Sequence, residues 1–361
     1  MLKFLPAMAC LAAISSVNPL YAEIEEKQGK FFGAKETHYP NWFKDSFLDL
    51  KEDVEEAKKS GKRIMIFFHQ DGCPYCNALV ERNMAQKDIE EKVRKNFDVV
   101  ALNMWGDREI TYLDGSHYIE KTFAEALKVQ FTPTLIFYDE EGKVVLRLNG
   151  YRSPQRFSVD LDYVAQHKEK EIPYRDYIQA NFTPGPSSKH LNSEDFFNNP
   201  PYDFTRKSGS RPLAVFFEQK DCPNCDSLHQ QVLPDAATRK VIKQFDNVQL
   251  DMWSNTPVVT PTGEKTTARQ WAKQLDIKYA PSIVLFNDKG EEVIRSEAFF
   301  KVFHTQGIFA YVLEGAYKKQ PNFQRYLSDR AESIRGKGQD VDIWRTVDEK
   351  SGKGGKGGKG K

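Results

Sequence analysis

Four cysteines form two pairs with the same spacing, and each pair has two residues between its members: Cys73 with Cys76, and Cys222 with Cys225. Two thiols this close can alternate between a dithiol and a disulfide, so they can exchange two electrons with a partner disulfide. When such a pair opens a helix, free backbone N–H groups and the helix dipole stabilise the first thiolate. We therefore assign Cys73 and Cys222 as nucleophiles. Cys76 and Cys225 are assigned as the resolving thiols that release the partner.

Two other uses of these cysteines stay open on chemical grounds. A purely structural disulfide between neighbours this close would constrain the unfolded chain very little. A zinc site would need all four thiols, yet 145 residues separate Cys76 from Cys222, unlike the compact spacing of zinc ribbons. We predict no metal site and no bound cofactor, because the dithiols themselves hold the electrons.

The surroundings of the two pairs repeat along the chain, with 149 residues between the first cysteines. A short apolar run precedes each pair, at residues 64–68 and 213–217, as expected of a buried central strand. A segment that can be helical follows each pair, at 77–95 and 226–244, and Pro234 must break or kink the second one. The element order β-α-β-α-β-β-α predicts an α/β fold with two tandem domains. Each domain has a central mixed sheet flanked by helices.

Two prolines complete the repeated pattern. Pro133 follows Cys73 by 60 residues and Pro281 follows Cys222 by 59, and both precede an apolar strand. With FFHQDGCPYC, NMWGD and FTPTLIF in the first copy, the chain resembles the thioredoxin superfamily. More narrowly, it resembles the exported thioredoxin-like branch that includes periplasmic disulfide reductases and isomerases and thioredoxins linked to sulfur oxidation. The resemblance covers roughly residues 40–170 and 190–320.

The resemblance implies that both prolines are cis and face the cysteine pairs. It also implies that the residue before each proline offers backbone hydrogen bonds to a bound substrate chain. The candidate substrate-binding residues are therefore Thr132, Pro133, Ala280 and Pro281, together with Tyr75 and Asn224 between the cysteines.

The chain departs from the family pattern in one respect. Thioredoxins commonly bury an acidic residue six positions before the first cysteine, where this chain has Phe67 and Phe216. His69 and Glu218, four positions before the nucleophiles, are candidates to tune them, and solvated strand ends are the alternative.

The two copies also differ beside the sulfurs, which predicts unequal reduction potentials. The differing pairs are Tyr75 and Asn224, Thr132 and Ala280, and His69 and Glu218. Trp105 and Trp253 occupy equivalent positions, either at the border of the active-site surface or in ordinary packing.

The first residues of the chain resemble a secretory signal. Residues 1–22 contain one charge, Lys3, and a mostly apolar stretch over residues 4–17. This pattern predicts cleavage after Ala22 and export to the periplasm. An uncleaved membrane anchor and a lipoprotein modified at Cys10 are the alternatives.

The repeat and the composition shifts predict the domain organisation. Each copy has its own strand, cysteine pair, helix and proline, so each is expected to fold alone. The predicted division is a signal peptide over 1–22, a first thioredoxin-like domain over 23–170, a linker over 171–190, a second thioredoxin-like domain over 191–330, and an extension over 331–361 with a disordered Gly/Lys tail.

Composition and charge narrow the partners. The formal net charge of +1 and the isoelectric point near 7.6 argue against a nucleic-acid partner. The tail over residues 351–361 contains only Gly, Lys and one Ser, so it is a solubilising segment or lies near an anionic membrane surface.

Together these observations predict a periplasmic thiol–disulfide oxidoreductase that reduces or isomerises protein disulfides. The family resemblance implies a membrane protein that supplies electrons from cytosolic thioredoxin. The alternatives are a dithiol oxidase and a chaperone or adaptor that binds unfolded or assembling exported proteins.

Overall fold

A computed structural model describes residues 28–207 and 209–347. The predicted signal segment 1–22, Cys10 and the tail 351–361 lie outside the described residues. Within the described ranges, no helix is long and apolar enough to cross a membrane.

The first domain is a four-stranded mixed sheet with strand order β3-β2-β6-β7 and helices on both faces. Strand β2 pairs in parallel with β3 and antiparallel with β6. A small β4-β5 hairpin lies between β3 and α4. The elements are β1 (Phe31–Phe32), α1 (Leu50–Lys59), β2 (Arg63–His69), α2 (Pro74–Ala78), a π-helical turn (Leu79–Met84), α3 (Lys87–Asn96), β3 (Phe97–Asn103), β4 (Glu109–Thr111), β5 (His117–Ile119), α4 (Glu120–Ala126), β6 (Thr134–Tyr138), β7 (Val144–Asn149), α5 (Pro154–Ala165) and α6 (Tyr174–Asn181).

The second domain repeats this sheet with strand order β10-β9-β13-β14. The predicted helix 226–244 is two helices, because Pro234 lies between them and cannot continue the first. The elements are β8 (Tyr202–Asp203), β9 (Leu213–Glu218), α7 (Pro223–Gln231), α8 (Ala236–Ile242), β10 (Asp246–Asp251), β11 (Pro257–Val259), β12 (Lys265–Thr267), α9 (Ala268–Gln274), β13 (Ser282–Phe286), β14 (Glu292–Ser296), α10 (Val302–Leu313), α11 (Phe323–Gly336) and β15 (Val341–Asp342).

The central strand of each sheet is buried on both faces, as the apolar runs predicted. In β2, Met65 and Phe67 contact the core beneath the cysteine-bearing helix. Ile66 and Phe68 contact a second core on the opposite face. Because side chains alternate along a strand, the last residue of β2 returns to the face of the cysteine helix. The same holds for the last residue of β9.

The segment predicted as a linker is partly helical. Helix α6 lies inside 171–190, and Tyr174, Tyr177 and Ile178 are buried. The Tyr174 hydroxyl donates to Asp160 of α5 at 2.8 Å. The i, i+3, i+4 spacing of the three buried side chains favours a helix docked on the first domain. The connection that lacks helix and strand begins only after this helix.

The two domains share an apolar interface, although each was expected to fold alone. Phe131 of the first domain stacks on Phe300 at 5.0 Å between ring centroids, and it also contacts Phe323 at 5.3 Å. At the ends of the described chain, β1 pairs in parallel with β15, so the extension returns to the first domain. Helix α11 runs past residue 330, where the second domain was predicted to end.

Candidate active sites

The first redox centre, Cys73 and Cys76, lies at the start of α2. Cys73 is the N-cap residue and forms a disulfide with Cys76, with the Cα atoms 5.3 Å apart. Its Sγ accepts a hydrogen bond from the Cys76 backbone N–H at 3.1 Å. Pro74 occupies the first helical position, where its missing N–H costs nothing. The helix start therefore directs a donor at the sulfur that we assign as the nucleophile.

The second redox centre, Cys222 and Cys225, has the same geometry at the start of α7. Cys222 is the N-cap residue, the Cα atoms are 5.2 Å apart, and the Cys225 N–H donates to the Cys222 Sγ at 3.1 Å. The duplication seen in the sequence thus extends to the hydrogen bonding of the sulfurs.

Both predicted prolines follow cis peptide bonds, and both face a cysteine pair. These bonds are Thr132–Pro133 and Ala280–Pro281. The carbonyl oxygen of Thr132 lies 3.6 Å from the Cys73 Sγ, and that of Ala280 lies 3.5 Å from the Cys222 Sγ. The geometry implied by the resemblance is confirmed, and the roles of these residues in substrate binding remain predictions.

Thr132 adds a contact that the second centre lacks. Its hydroxyl donates to the Cys73 Sγ at 3.4 Å, whereas Ala280 has no side-chain donor at the equivalent position. A donor stabilises a thiolate more than a disulfide sulfur, because a charged acceptor forms the stronger hydrogen bond. This difference supports the prediction of unequal potentials.

A family model described as a thioredoxin-like domain matches residues 50–165 and 205–328. The chain belongs to the thioredoxin-like family. Each thioredoxin-like domain contains one cysteine pair at disulfide distance, as a thiol–disulfide oxidoreductase requires.

Solved structures match parts of the chain at low identity. A thioredoxin-fold protein from Helicobacter pylori is 19% identical, with 44% of this chain and 90% of that chain covered and a TM-score of 0.30. A disulphide isomerase from Xylella fastidiosa Temecula1 is 18% identical, with 32% and 80% covered and a TM-score of 0.23. The first two thioredoxin domains of Saccharomyces cerevisiae Eps1p are 12% identical, with 71% and 93% covered and a TM-score of 0.24. The search of curated proteins finds no match.

The first thioredoxin-like domain has its redox centre covered by the second. Tyr75, between the two cysteines, is only 4% exposed. Its ring contacts Phe300, His304 and Trp344 at 4.8 to 5.5 Å between centroids, and its hydroxyl accepts from the Lys301 N–H at 3.0 Å. A substrate would reach Tyr75 only after these contacts open.

The remaining space at the first centre is a small cavity of about 330 Å³. Side chains from both domains line it, and most of its large side chains are apolar. These include Phe131, Phe300, Phe303, Leu327 and Ile343.

The second centre opens onto a much larger cleft of about 930 Å³. Pro223 and Asn224 are partly exposed there, unlike their buried counterparts in the first centre. The Asn224 side-chain amide donates to the Tyr279 hydroxyl, so Asn224 is held at the edge of the cleft. Asn224, one of the substrate-binding residues predicted for this centre, is therefore accessible.

His69 and Glu218 both end a central strand and lie on the face of the cysteine helix, but their surroundings differ. Burial lowers the pKa of His69 to about 4, and its ring contacts Tyr39 at 4.4 Å between centroids. The alternative that Glu218 is a solvated strand end is wrong, because its side chain is fully buried. The Glu218 carboxylate accepts a hydrogen bond from His229 Nε2 at 3.0 Å.

Sequence reasoning missed His229, which lies one helical turn after Cys225 on α7. Burial alone would lower the pKa of His229, but hydrogen bonds to Glu194 and Glu218 raise it to about 9. Arg239 donates to Glu194 at 2.6 Å and extends the network. The four-residue spacing of Cys225 and His229 on one helix face was the available signal.

Arg175 and the rest of α6 were also missed, because they fall in the segment predicted as a linker. The guanidinium of Arg175 lies 4.0 Å above the ring of Trp253 in the second domain. Trp253 therefore borders the cleft, the first of the two roles considered for it, whereas Arg325 lies over Trp105. Over the described residues, no group of three or more His, Cys, Asp or Glu side chains is arranged to hold a metal ion.

Proposed function

We propose that the protein is an exported thiol–disulfide oxidoreductase that reduces or isomerises protein disulfides through its two cysteine pairs. The observation that supports this most directly is the same arrangement in both domains. In each, a disulfide pair opens a helix, its first sulfur accepts a backbone hydrogen bond, and a cis-proline loop faces it.

The proposed reaction begins with the reduced second centre. The Cys222 thiolate attacks one sulfur of a partner disulfide, forms a mixed disulfide, and expels the other partner sulfur as a thiolate that takes a proton from solvent. The Cys225 thiol then loses its proton and attacks the Cys222 sulfur, which releases the second partner thiol. Two electrons pass from the dithiol to the partner, and the Cys222–Cys225 disulfide remains.

Isomerisation uses the same mixed disulfide without net electron transfer. Another thiol of the bound partner attacks the sulfur that is joined to Cys222, forms a new partner disulfide and returns Cys222 to its thiolate. Both activities require the reduced form, so reduction in the periplasm needs a dithiol donor. We assign that role to a membrane protein.

The second centre is proposed to meet substrates first. Its neighbours Pro223 and Asn224 are accessible from a large cleft, whereas Tyr75 closes the first centre against the second domain. The first centre then exchanges electrons with the donor or with the second centre when the domain contacts open.

The proposal is tested by insulin reduction with dithiothreitol as the donor. The parent protein should accelerate precipitation of the insulin B chain, and a variant with serine at Cys73, Cys76, Cys222 and Cys225 should not. The same variant, assayed for suppression of citrate synthase aggregation, tests the chaperone alternative. Holdase activity without insulin reduction by the parent would reject the oxidoreductase. Faster oxidation of a reduced client than reduction of an oxidised one would favour the dithiol oxidase.

A further inference from the structure

The cleft at the second centre is built by both domains. One wall contains the redox centre, with Cys222, Asn224 and Ala280. The facing wall comes from α5 and α6 of the first domain, including Arg175 and Phe182 at the end of α6. Substrates of the second centre therefore contact the first domain as well.

Basic side chains predominate around this cleft. Asp221 and Asp251 are the acidic residues among the lining side chains of the described chain. The basic ones are Arg156, Arg175, Lys189, Lys220 and Lys278.

Three of the five basic groups are already paired with carboxylates. Arg156 bonds Asp160 at 2.9 Å, Lys278 pairs with Asp276 at 2.7 Å, and Lys189 pairs with Asp221. In contrast, no described carboxylate lies within ion-pair distance of Arg175 or Lys220. Two cations beside the redox centre are therefore left for a ligand.

The Arg175 side chain is fixed in place but not fully satisfied. One terminal nitrogen donates to the Met252 carbonyl oxygen, and the guanidinium lies over Trp253. Its Nε and Nη1 atoms are buried and have no hydrogen-bond partner among the described residues. Arginine has five N–H donors, and leaving buried donors unpaired is unfavourable. Burial also lowers the pKa of Arg175, although the charges of Asp176 and Asp251 act in the opposite direction.

The distribution of charge indicates an extended ligand. Arg175 belongs to α6, Lys220 precedes the cysteine pair by two residues, and Lys278 precedes Pro281 by three. These cations lie on separate elements around one cleft of about 930 Å³. An extended polypeptide with several carboxylates could contact them while its sulfur lies at Cys222.

We propose that the second centre selects polypeptide disulfides whose cysteine is flanked by acidic residues, and that the charges of Arg175 and Lys220 attract those carboxylates. This inference rests on the proposed function, because it concerns the substrates of the same site. The first centre provides the contrast, since its cavity is smaller and most of its large lining side chains are apolar.

The test uses three fluorogenic peptide disulfides of one length, with Glu, Gln or Lys on both sides of the cysteine. The enzyme is the full chain with Cys73→Ser and Cys76→Ser, so that only the second centre reacts. We expect kcat/KM for the Glu peptide to exceed that for the Lys peptide by about tenfold at low ionic strength, and the ratio to fall as salt is added.

Replacement of the two cations should remove this preference. In the Arg175→Gln, Lys220→Gln variant, the Glu-to-Lys ratio should approach one. Lys220→Glu alone, at an exposed position, should reverse the preference without disturbing the fold. Arg94→Gln and Lys87→Gln on α3 are matched controls, because these exposed side chains lie away from the cleft.

The outcomes separate this inference from the proposed function. If no peptide is reduced, the proposed function fails. If all three peptides are reduced equally, or if the Lys peptide is preferred, the acidic selectivity is wrong although the enzyme is active. If oxidised glutathione is reduced faster than the Glu peptide and its rate depends on Arg175, the ligand is a small anionic disulfide and the polypeptide assignment is overturned.

Discussion

The two redox centres have nearly identical local geometry and opposite surroundings. In both, an N-cap cysteine accepts a hydrogen bond of 3.1 Å from the residue three positions later. In the first centre Tyr75 is enclosed by the second domain, whereas in the second centre Asn224 borders an open cleft. Both copies keep the elements that position a cysteine pair, while contacts between the domains determine whether a substrate can reach that pair.

The comparison also separates two influences on the reactive sulfur: a hydrogen bond from a neighbouring side chain, and access limited by residues distant in the chain. Thr132 provides a side-chain hydrogen bond beside Cys73 that Ala280 does not provide beside Cys222. The cover over Tyr75 comes from residues more than 220 positions away in the chain. Each of these differences can be changed separately.

The largest expected difference is in thiol reactivity. After full reduction, Cys222 should react with iodoacetamide at least about tenfold faster than Cys73, because the neighbours of Cys73 are buried and its exposure requires local opening. Mass spectrometry of the two alkylated peptides over time measures both rates in one sample. Equal rates in the native protein, together with equal rates in urea, would show that the cover does not protect the first centre.

The next largest effect should come from the two residues between the cysteines. Tyr75→Ala should lower the free energy of unfolding by about 3 kcal/mol, because it removes a fully buried aromatic ring from the domain interface. Asn224→Ala should cost about 1 kcal/mol or less, since Asn224 makes one side-chain hydrogen bond at a partly exposed position. Urea denaturation of both variants checks the difference. A similar loss in each would mean that Tyr75 does not hold the interface together.

His229 and His69 should contribute to stability with opposite dependence on pH. The pKa of His229 is raised to about 9, so its contribution is complete below its unfolded pKa near 6.5 and is lost as the pH rises through 9. The pKa of His69 is lowered to about 4, so its contribution is present above 6.5 and is lost as the pH falls through 4.

Urea midpoints measured from pH 4 to pH 10 test this contrast. His229→Gln should reduce the loss of unfolding free energy that the parent shows above pH 6.5, by on the order of 2 kcal/mol, and should leave the change below pH 6.5 as it is. His69→Gln should alter only the change below pH 6.5. If His229→Gln leaves the loss above pH 6.5 as it is in the parent, the network with Glu194 and Glu218 does not stabilise the charged imidazole.

The smallest effect should be in the reduction potentials, where a reciprocal exchange is available. Thr132→Ala removes a donor to the Cys73 thiolate, so the first centre should become more reducing by roughly 20–30 mV, equivalent to about 1 kcal/mol. Ala280→Thr should shift the second centre in the opposite direction by a similar amount. Glutathione equilibration of variants that retain one cysteine pair measures both shifts, and a shift of the same sign in both would contradict the assignment.

The sequence predicted the parts of the molecule that depend on neighbouring residues. The apolar runs before each cysteine pair are central strands because both faces of each sheet are covered, and Pro234 breaks its helix as its chemistry requires. The cis geometry of Pro133 and Pro281 was implied by the family resemblance, which depends on the spacing of residues within one domain.

The sequence did not predict the contacts made by the segment assigned as a linker or the contacts made between the two domains. The spacing of Tyr174, Tyr177 and Ile178 was present in the segment assigned as a linker, but its meaning depends on the surface of α5. Likewise, Tyr75 has no local reason to be buried. Its partners Phe300 and Trp344 belong to a loop and an extension whose return to the first domain involves the β1-β15 pairing.

The most direct test of the central claim is to trap mixed disulfides with a protein substrate. In full-length reduced protein, Cys225→Ser leaves Cys222 able to attack and unable to resolve, and Cys76→Ser does the same for Cys73. With insulin as the substrate, we predict abundant mixed disulfide at Cys222 in the first variant and at least about tenfold less at Cys73 in the second. Equal trapping would contradict the assignment of the second centre as the one that meets substrates. Absence of a mixed disulfide in both variants would contradict the oxidoreductase itself.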